Sequence, residues 1–419
     1  MHVLPGFREF YPEDCARRNY ITGVWRATAR RHGFVEYDGP TLEPVELYLK
    51  KSGGELSGQL FDFTDKGERH VALRPEMTPT LARMIAARER DYRKPIKWFS
   101  IASFFRYEKQ QRGRLREFLQ FNCDVVGDAS PAADAELIAL VIAIFQGFGF
   151  GPQDFVVRLS DRNAWIQLLR QTAGPDASDQ EFLAIIDKIE RDPAETTETK
   201  LRPFGLTLEA VRAFIARGRD AAPGLAAVCV ELDARGLGGF YEVDLTVVRG
   251  LAYYTGVVFE AFDRGRRLRA LAGGGRYDGL VKLLSDGKAD LPAIGAGLGD
   301  VTLGELIALH PAATGTLEAA VARASSVDVF VVIADEVHRP EALALAARLR
   351  ADGHRVDYAL GAAKVGKQFQ SAETAGARLA VVIGTEWPAV KLKVLATRAE
   401  SAVPGGADLS RIVRAAMEE

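Results

Sequence analysis

The segment from Phe104 to Gly127, FFRYEKQQRGRLREFLQFNCDVVG, collects residue types that hold a phosphate. FFRYE is an aromatic, alternating run that suits a strand, and Arg106 and Glu108 share one of its faces. A guanidinium is a planar, permanently charged fork that matches phosphate oxygens, and Arg106 is expected on rigid sheet. KQQRGRLRE then sets Lys109, Arg112, Arg114 and Arg116 around Gly113 and reads as a basic hairpin turn. In FLQFNCDVV a period of two puts Gln120, Asn122 and Asp124 on one face and Phe121, Cys123 and Val125 on the other. Two antiparallel strands would then share a floor bearing an arginine and carboxylates. A solvated hairpin whose arginines keep an edge strand soluble would carry the same basic turn. It would have no need of Gln120 and Asp124 aligned with Arg106.

Other stretches carry polar groups that could converge on the same floor. In LRPEMTPTLAR, Glu76 and Thr78 sit where a strand meets a helix, and a carboxylate beside a hydroxyl suits an ammonium group. Spacing alone supports an N-capping arrangement equally well. In RGLAYYTG, Arg249 stands next to a glycine and can reach into a cleft, while Tyr253 and Tyr254 supply an aromatic wall and hydroxyls able to bond an imidazole nitrogen. The same run also reads as a hairpin with a core tyrosine. LAGGGRYDGL places three glycines before Arg276, Tyr277 and Asp278, which lets backbone approach a ligand closely, although a hinge has the same composition. Gly295, Gly297 and Gly299 lie two apart on one strand face and leave a flat surface on which an adenine could lie.

The elements that must position these groups follow from pattern. Pro12, Glu13 and Asp14 open a helix with apolar positions at Tyr20, Ile21, Val24 and Trp25, followed by a strand ending at Pro40 and Pro44. FDFTDKGERHVAL reads as a hairpin, and SPAADAELIALVIAIFQGFGF as an apolar core helix capped by Ser130. Residues 163–238 read as a helical insertion without a sustained hydrophobic repeat, and GGFYEVDLTVVRGLAYYTGVVFEAF as two strands joined through RGLAYYTG. Residues 313–326 are small and polar, a linker by composition. Beyond them strands alternate with helices, which implies a small, mostly parallel α/β domain over 327–419.

With 419 residues, 47% hydrophobic and 26% charged, the chain can bury more than one core. No apolar run is long enough to span a bilayer, and MHVLPGFREFYPED lacks the apolar core of a signal peptide, so a cytoplasmic protein is expected. Cys15, Cys123 and Cys229 are widely spaced and the histidines show no ligand spacing, which excludes a disulfide framework and offers no protein metal site. The formal net charge is -2, so nucleic acid would be met by local patches such as residues 109–116.

Several of these segments resemble the histidyl-tRNA synthetases, a family of class II aminoacyl-tRNA synthetases. FFRYE with its basic loop and second strand resembles class II motif 2, RPEMTP the segment that binds the substrate α-amino group, and RGLAYY and GGGRYDGL the two histidine-specific segments. The helix, strand and proline near the N-terminus resemble motif 1, the dimer interface of that family. VGKQFQSAETAGARLAVVIG resembles the C-terminal anticodon-binding domain, where Lys364, Lys367 and Gln368 could face phosphates. The resemblance implies an α+β catalytic domain with an antiparallel sheet over 1–312 and an α/β anticodon-binding domain after the linker. It also implies a homodimer acting on L-histidine, ATP with Mg2+, and tRNA(His). Arg106 and Arg249 would be catalytic cations at the α-phosphate. Glu76, Thr78, Gln120, Asp124, Tyr253, Tyr254 and Tyr277 would bind histidine, and Glu108, Arg112, Arg114, Gly297 and Gly299 would bind ATP with Arg106.

The chain departs from the family pattern at two places. Ala252 replaces the usual aspartate of RGLDYY, and Val301 and Thr302 replace the acid and arginine that end motif 3. Loss of that arginine removes a cation at the triphosphate, for which Arg112 or Arg114 could substitute. The leading expectation is histidine–tRNA ligase activity through histidyl-adenylate. The alternative is an inactive paralogue that senses histidine, of the ATP phosphoribosyltransferase regulatory type. A third reading keeps the activation chemistry but loads another acceptor.

Overall fold

The computed structural model describes residues 2–50, 57–109, 113–249, 253–406 and 408–418. Contacts divide the chain into two units, Met1–Glu9 with Ile21–Thr314 and Phe10–Tyr20 with Gly315–Glu419. Among the described residues no helix is long and apolar enough to cross a membrane.

In chain order the first part runs α1 (Pro12–Arg31), β1 (Val35–Glu36), β2 (Leu42–Pro44), α2 (Val45–Leu49), β3 (Phe61–Thr64), β4 (His70–Leu73), α3 (Thr78–Arg88), β5 (Ile96–Phe105), β6 (Glu117–Val126) and α4 (Pro131–Gly147). It continues with β7 (Phe155–Asp161), the helices α5 (Arg162–Ala173), α6 (Asp179–Ile186), α7 (Ala194–Leu201), α8 (Leu208–Ala216) and α9 (Gly224–Ala234), then β8 (Tyr241–Val243), β9 (Val257–Asp263), β10 (Ala272–Arg276), α10 (Leu280–Leu284), β11 (Ala293–Gly299) and α11 (Asp300–Ala308). Eight of these strands form one sheet in the order β1-β5-β6-β11-β10-β9-β7-β8. Every pairing from β5 to β7 is antiparallel, and each edge closes with a parallel pair, β1 on β5 and β8 on β7. The sheet is thus antiparallel where the candidate residues lie and mixed at its rims. The strands β2, β4 and β3 make a smaller antiparallel sheet.

The long β5–β6 hairpin forms as its alternation requires, and its inner face is apolar core, with Phe99 and Phe121 rings stacked at 5.7 Å. Helix α4 begins where expected: the Ser130 side chain accepts from the N–H of Ala133 at 3.4 Å, and Pro131 occupies a position whose N–H has no helical partner to lose. This helix packs on β6 and β11. The insertion keeps its own aromatic core, Trp165 lying 4.8 Å from Phe214 and 5.9 Å from Phe182, with Trp165 Nε1–H donating to Leu245 O at 2.9 Å. Burial of a few large rings, rather than a regular repeat, orders these short helices. Within the insertion, the stretch RDPAETTETKLRPFG contains α7, which begins after Pro193.

Two further expectations are corrected. The strands β8 and β9 do not form a hairpin; both pair with β7, on opposite sides of it. The stretch read as a linker is helical, α12 spanning Pro311–Ser325, because its many alanines favour helix strongly.

The C-terminal part comprises β12 (Val329–Ile333), α13 (Arg339–Ala351), β13 (Val356–Tyr358), α14 (Val365–Thr374), β14 (Leu379–Ile383), β15 (Ala389–Val394), β16 (Glu400–Pro404) and α15 (Leu409–Glu418), with sheet order β13-β12-β14-β15-β16. Only β13, β12 and β14 are mutually parallel. The connection from β14 to β15 is too short for a crossover, so β15 and β16 return antiparallel. Gln368 does not face outward: it is 1% exposed and ties α14 to Ile333 by accepting from its N–H and donating to its carbonyl, both at 2.8 Å.

Candidate active site

One face of the antiparallel centre carries the site. Gln120, Asn122 and Asp124 on β6 stand opposite Gly299, Gly297 and Gly295 on β11. The latter two face Gly273 and Gly275 on β10, which in turn face Glu260 and Val258 on β9. What lies over three of these glycines explains the residue type. A Cβ at Gly295 would stand 2.0 Å from Asp124 Oδ1, at Gly297 2.1 Å from Gln120 Nε2, and at Gly273 1.9 Å from Arg249 Nη1. The expected flat glycine surface is therefore not bare, because three polar side chains are folded into it.

Two cavities meet on this face. The larger, about 650 Å³, is lined by Arg106, Glu108, Arg114, Gln120, Arg249 and Glu260, with Gly297 and Gly299 along one wall. The smaller, about 80 Å³, is lined by Glu76, Thr78, Asn122, Asp124, Tyr253, Tyr254 and Tyr277. Arg106, Gln120, Arg249, Gly273 and Gly297 line both, so the two arginines stand at the junction. The sequence-predicted residues are thus brought together, apart from Arg112, which lies outside the described residues, as does Ala252.

Arg106 sits one residue past β5 rather than on it, yet the ladder continues: its N–H donates to Arg116 O at 2.9 Å. Its Nε–H donates to Pro75 O at 3.0 Å and its guanidinium lies 5.2 Å from the Phe118 ring centre, which fixes the fork. Glu108 holds Arg114 at 2.6 Å. Arg249 adopts a left-handed backbone, φ 56°, a conformation costly for a side-chain-bearing residue and concentrated at functional sites. Its Nη1–H donates to Glu260 Oε1 at 2.5 Å, and its guanidinium lies 5.8 Å from the Tyr254 ring centre. Burial works against its charge, but the neighbouring Tyr254 and Glu260 outweigh this and raise its pKa above the usual range.

In the small cavity the Tyr277 hydroxyl donates to Asp124 Oδ1 at 2.6 Å, and the Tyr253 hydroxyl to Glu76 Oε2 at 3.2 Å. Burial pushes the Asp124 carboxyl up to about 7, opposed by the bond from Tyr277. Helix α3 has Met77 at its N-cap with no side-chain capping bond, so capping does not account for Glu76 and Thr78. The arrangement offers acceptors for an ammonium on one wall, a buried acceptor at the far end, and two cations where the compartments join.

Sequence reasoning left four polar or charged lining residues without a role: Asn122, Arg191, Glu260 and Arg269. Asn122 and Glu260 had a signal, since period two aligns Asn122 with Gln120 and Asp124, and Glu260 is a lone charge in the apolar run VVFEAF. Arg191 comes from the turn after α6 and Arg269 from the arginine-rich β9–β10 connection, where nothing distinguishes it from Arg264, Arg266 or Arg267. Val301 and Thr302, read from the sequence as standing in place of the motif 3 acid and arginine, line the large cavity as well.

Comparison with known proteins agrees with this geometry. The family model described as histidyl-tRNA synthetase matches residues 6–303, and the anticodon binding domain model matches 328–407. The chain is 47% identical to a histidine–tRNA ligase of Opitutus terrae over 96% of its own length and 95% of the relative's. It is 38% identical to that of Natronomonas pharaonis, covering 96% and 95%. The histidyl-tRNA synthetase structure from Nostoc superposes with a TM-score of 0.73 at 25% identity, covering 99% of both chains. A Bacillus halodurans structure titled ATP phosphoribosyltransferase regulatory subunit/histidyl-tRNA synthetase shares the fold, with a TM-score of 0.71 at 24% identity over 92% of this chain and 98% of that one. With the model matched across both cavities and relatives this similar over nearly their full length, the chain belongs to the histidyl-tRNA synthetase family.

Proposed function

We propose that the protein is a histidine–tRNA ligase that activates L-histidine with ATP and passes the histidyl group to tRNA(His). The observation that carries this reading is the junction of an amino-acid-sized compartment with a nucleotide-sized one at Arg106 and Arg249. A carboxylate oxygen of histidine attacks the α-phosphorus of ATP. The bond to the bridging oxygen breaks, and pyrophosphate leaves with its electron pair. The product is histidyl-adenylate, whose carbonyl carbon is then attacked by a hydroxyl of the 3'-terminal ribose of tRNA, releasing AMP and the hydroxyl proton. The protein contributes position and charge rather than a covalent nucleophile.

In this reading Glu76 and Thr78 take the α-ammonium, and Asp124 with Tyr254 and Tyr277 takes the imidazole. Arg106 and Arg249 hold carboxylate and α-phosphate together, with Arg249 aimed by Glu260. Gln120 spans the two compartments, Tyr253 walls the amino acid, and Gly297 and Gly299 lie beneath the nucleotide. Arg114, Arg191 and Arg269 line only the large cavity and suit the distal phosphates. In this reading Mg2+ enters as the counter-ion of substrate ATP, and the two glutamates of the large cavity, Glu108 and Glu260, are paired with arginines. The reading further takes the protein as a cytoplasmic homodimer with catalytic residues 1–312 and an anticodon-binding domain from 327. Leu42, Leu49 and Phe63 are exposed apolar side chains on β2, α2 and β3.

A histidine sensor would have no use for the arginine-lined large cavity, which counts against that alternative. ATP–pyrophosphate exchange with and without L-histidine, followed by charging of tRNA, tests the proposal. Histidine-dependent exchange and charging are expected, and histidine binding without exchange would refute it.

A further inference from the structure

The segment before α1 is tied to the root of the basic loop, far from it in sequence. The pairing of β5 with β6 runs out to Phe105 and Glu117, whereas β11 pairs with β6 only as far as Gln120. Glu117, Phe118 and Leu119 thus have a strand on one side only, and the N–H groups of such a strand end need other acceptors. Gly6 and Asp300 supply them. The Gly6 carbonyl accepts from the N–H of Arg116 at 3.0 Å and from that of Glu117 at 3.1 Å, and Asp300 Oδ1 accepts from the N–H of Leu119 at 3.0 Å. Arg8 closes the arrangement: its Nη2 lies 2.8 Å from Asp300 Oδ2, and the Asp300 side chain is 7% exposed.

The same segment grips both arms of the hairpin. The Phe7 ring lies 6.4 Å from that of Phe105 at the end of β5 and 5.9 Å, edge-on, from that of Phe61 on β3, while Gly6 holds the β6 arm. Gly6 is buried with φ 88°, and a Cβ there would lie 2.7 Å from Arg116 Cγ, so a larger residue would push its carbonyl away from the strand end. Arg116 carries this contact to the chemistry. Its N–H donates to Gly6, and its carbonyl accepts from the N–H of Arg106 at 2.9 Å. Two successive backbone bonds therefore lead from Gly6 to the arginine where the cavities join, and the arms that they pin bring Glu108 and Arg114 to the large cavity.

We infer that Gly6 and Arg8, with Asp300, form a positioning clasp for the activation step: they fix the root of the basic loop, and with it the stance of Arg106 towards ATP, without touching either substrate. This rests on the reading of the large cavity as the ATP compartment. Arg8→Met keeps the length of the side chain and leaves the buried Asp300 carboxylate without this cation. In the full chain it is expected to lower kcat/KM for ATP by about tenfold to a hundredfold in histidine-dependent pyrophosphate exchange, the scale on which a displacement of about 1 Å acts on a reaction. The dissociation constant of L-histidine, read by titration calorimetry, should change by less than about threefold, because Glu108 and Arg114 line only the large cavity. Arg8→Lys retains a cation for Asp300 and is expected to recover most of the loss. Gly6→Ala alters no charge and displaces only the carbonyl contact; it is expected to give the same split between ATP and histidine, and it decides the matter if Arg8→Met does not fold. Unchanged exchange in folded Arg8→Met or Gly6→Ala protein would overturn the inference. So would a parallel loss of histidine binding, which marks general support of the fold. Wild-type protein that binds histidine but not ATP would remove the reading of the large cavity and the inference with it, an outcome visible before any variant is made.

Discussion

Replacing Arg269 by alanine tests how this chain manages with Thr302 where its family carries an arginine. Gly113 shows the proximity of the two positions: a Cβ there would lie 3.6 Å from Arg269 Cδ and 3.5 Å from Thr302 Cγ2. Both line the large cavity and neither lines the small one, so a cation at either position addresses the same end of the nucleotide. In an open cavity with an effective dielectric near ~20, a guanidinium about 4 Å from one phosphate charge gains about 4 kcal/mol, and hydration of the free partners returns part of this. Mutational values for hydrogen bonds to charged groups, about 1.5–3 kcal/mol, set the net effect. Arg269→Ala is therefore expected to lower kcat/KM for ATP by about tenfold to a hundredfold in pyrophosphate exchange at saturating histidine. The KM for histidine should change by no more than about threefold, because Arg269 does not line the small cavity. Adding Thr302→Arg to this variant should recover most of the loss, since it restores a cation beside the same loop. An unchanged KM for ATP in the single variant, or a folded double variant with no recovery, would refute the reasoning.

Three further outcomes follow from the site. Burial holds the Asp124 carboxyl near about 7, so the folded protein keeps this proton more tightly than the unfolded chain does; that contribution is present at low pH and lost as pH rises through about 7. Asp124→Asn is expected to melt above wild type at about pH 8, by on the order of 1–2 kcal/mol, with the gap shrinking as pH falls below about 7 and closing only towards about pH 4, and melting curves across that window check the sign. Gly295→Ala drives a methyl group into Asp124 Oδ1 and is expected to cost about 1–3 kcal/mol of stability and to raise the KM for histidine more than that for ATP, read from thermal melts and exchange kinetics. Glu260→Gln keeps a hydrogen-bonding group beside Arg249 but removes the charge, and a fall in kcat of about fivefold to tenfold without loss of fold is expected in the same assay.

The parts of the site that were legible in the sequence are those fixed by local rules. Period two along β6 put Gln120, Asn122 and Asp124 on one face because strand pleating allows nothing else. Ser130 and Pro131 announced α4 for reasons confined to one helical turn. Arg191 and Arg269 were not legible, because only the sheet order β6-β11-β10-β9 and the packing of the insertion bring their turns to the cavity, and both are non-local. The pairing of β8 was misread for the same reason. Two strands close in sequence suggest a hairpin, but β7, some eighty residues earlier by the spacing of Leu159 and Val243, lies between β8 and β9. Mixed sheet direction in the C-terminal part depended on one short connection, which an alternation of strands and helices does not reveal.

The three occupied glycines bear on how this family of sites can drift. Gly295 with Asp124, Gly297 with Gln120, and Gly273 with Arg249 behave as plug and socket, each plug filling the volume its socket gives up. Changing one member alone leaves either a collision or a water-accessible notch, so neither position can wander while its counterpart stays fixed. A lineage moving towards a different amino acid would have to alter both halves of a pair, far apart in sequence, through an intermediate worse than either end. The sheet thereby acts as a ratchet that holds the substrate preference in place, independently of how strongly each contact binds.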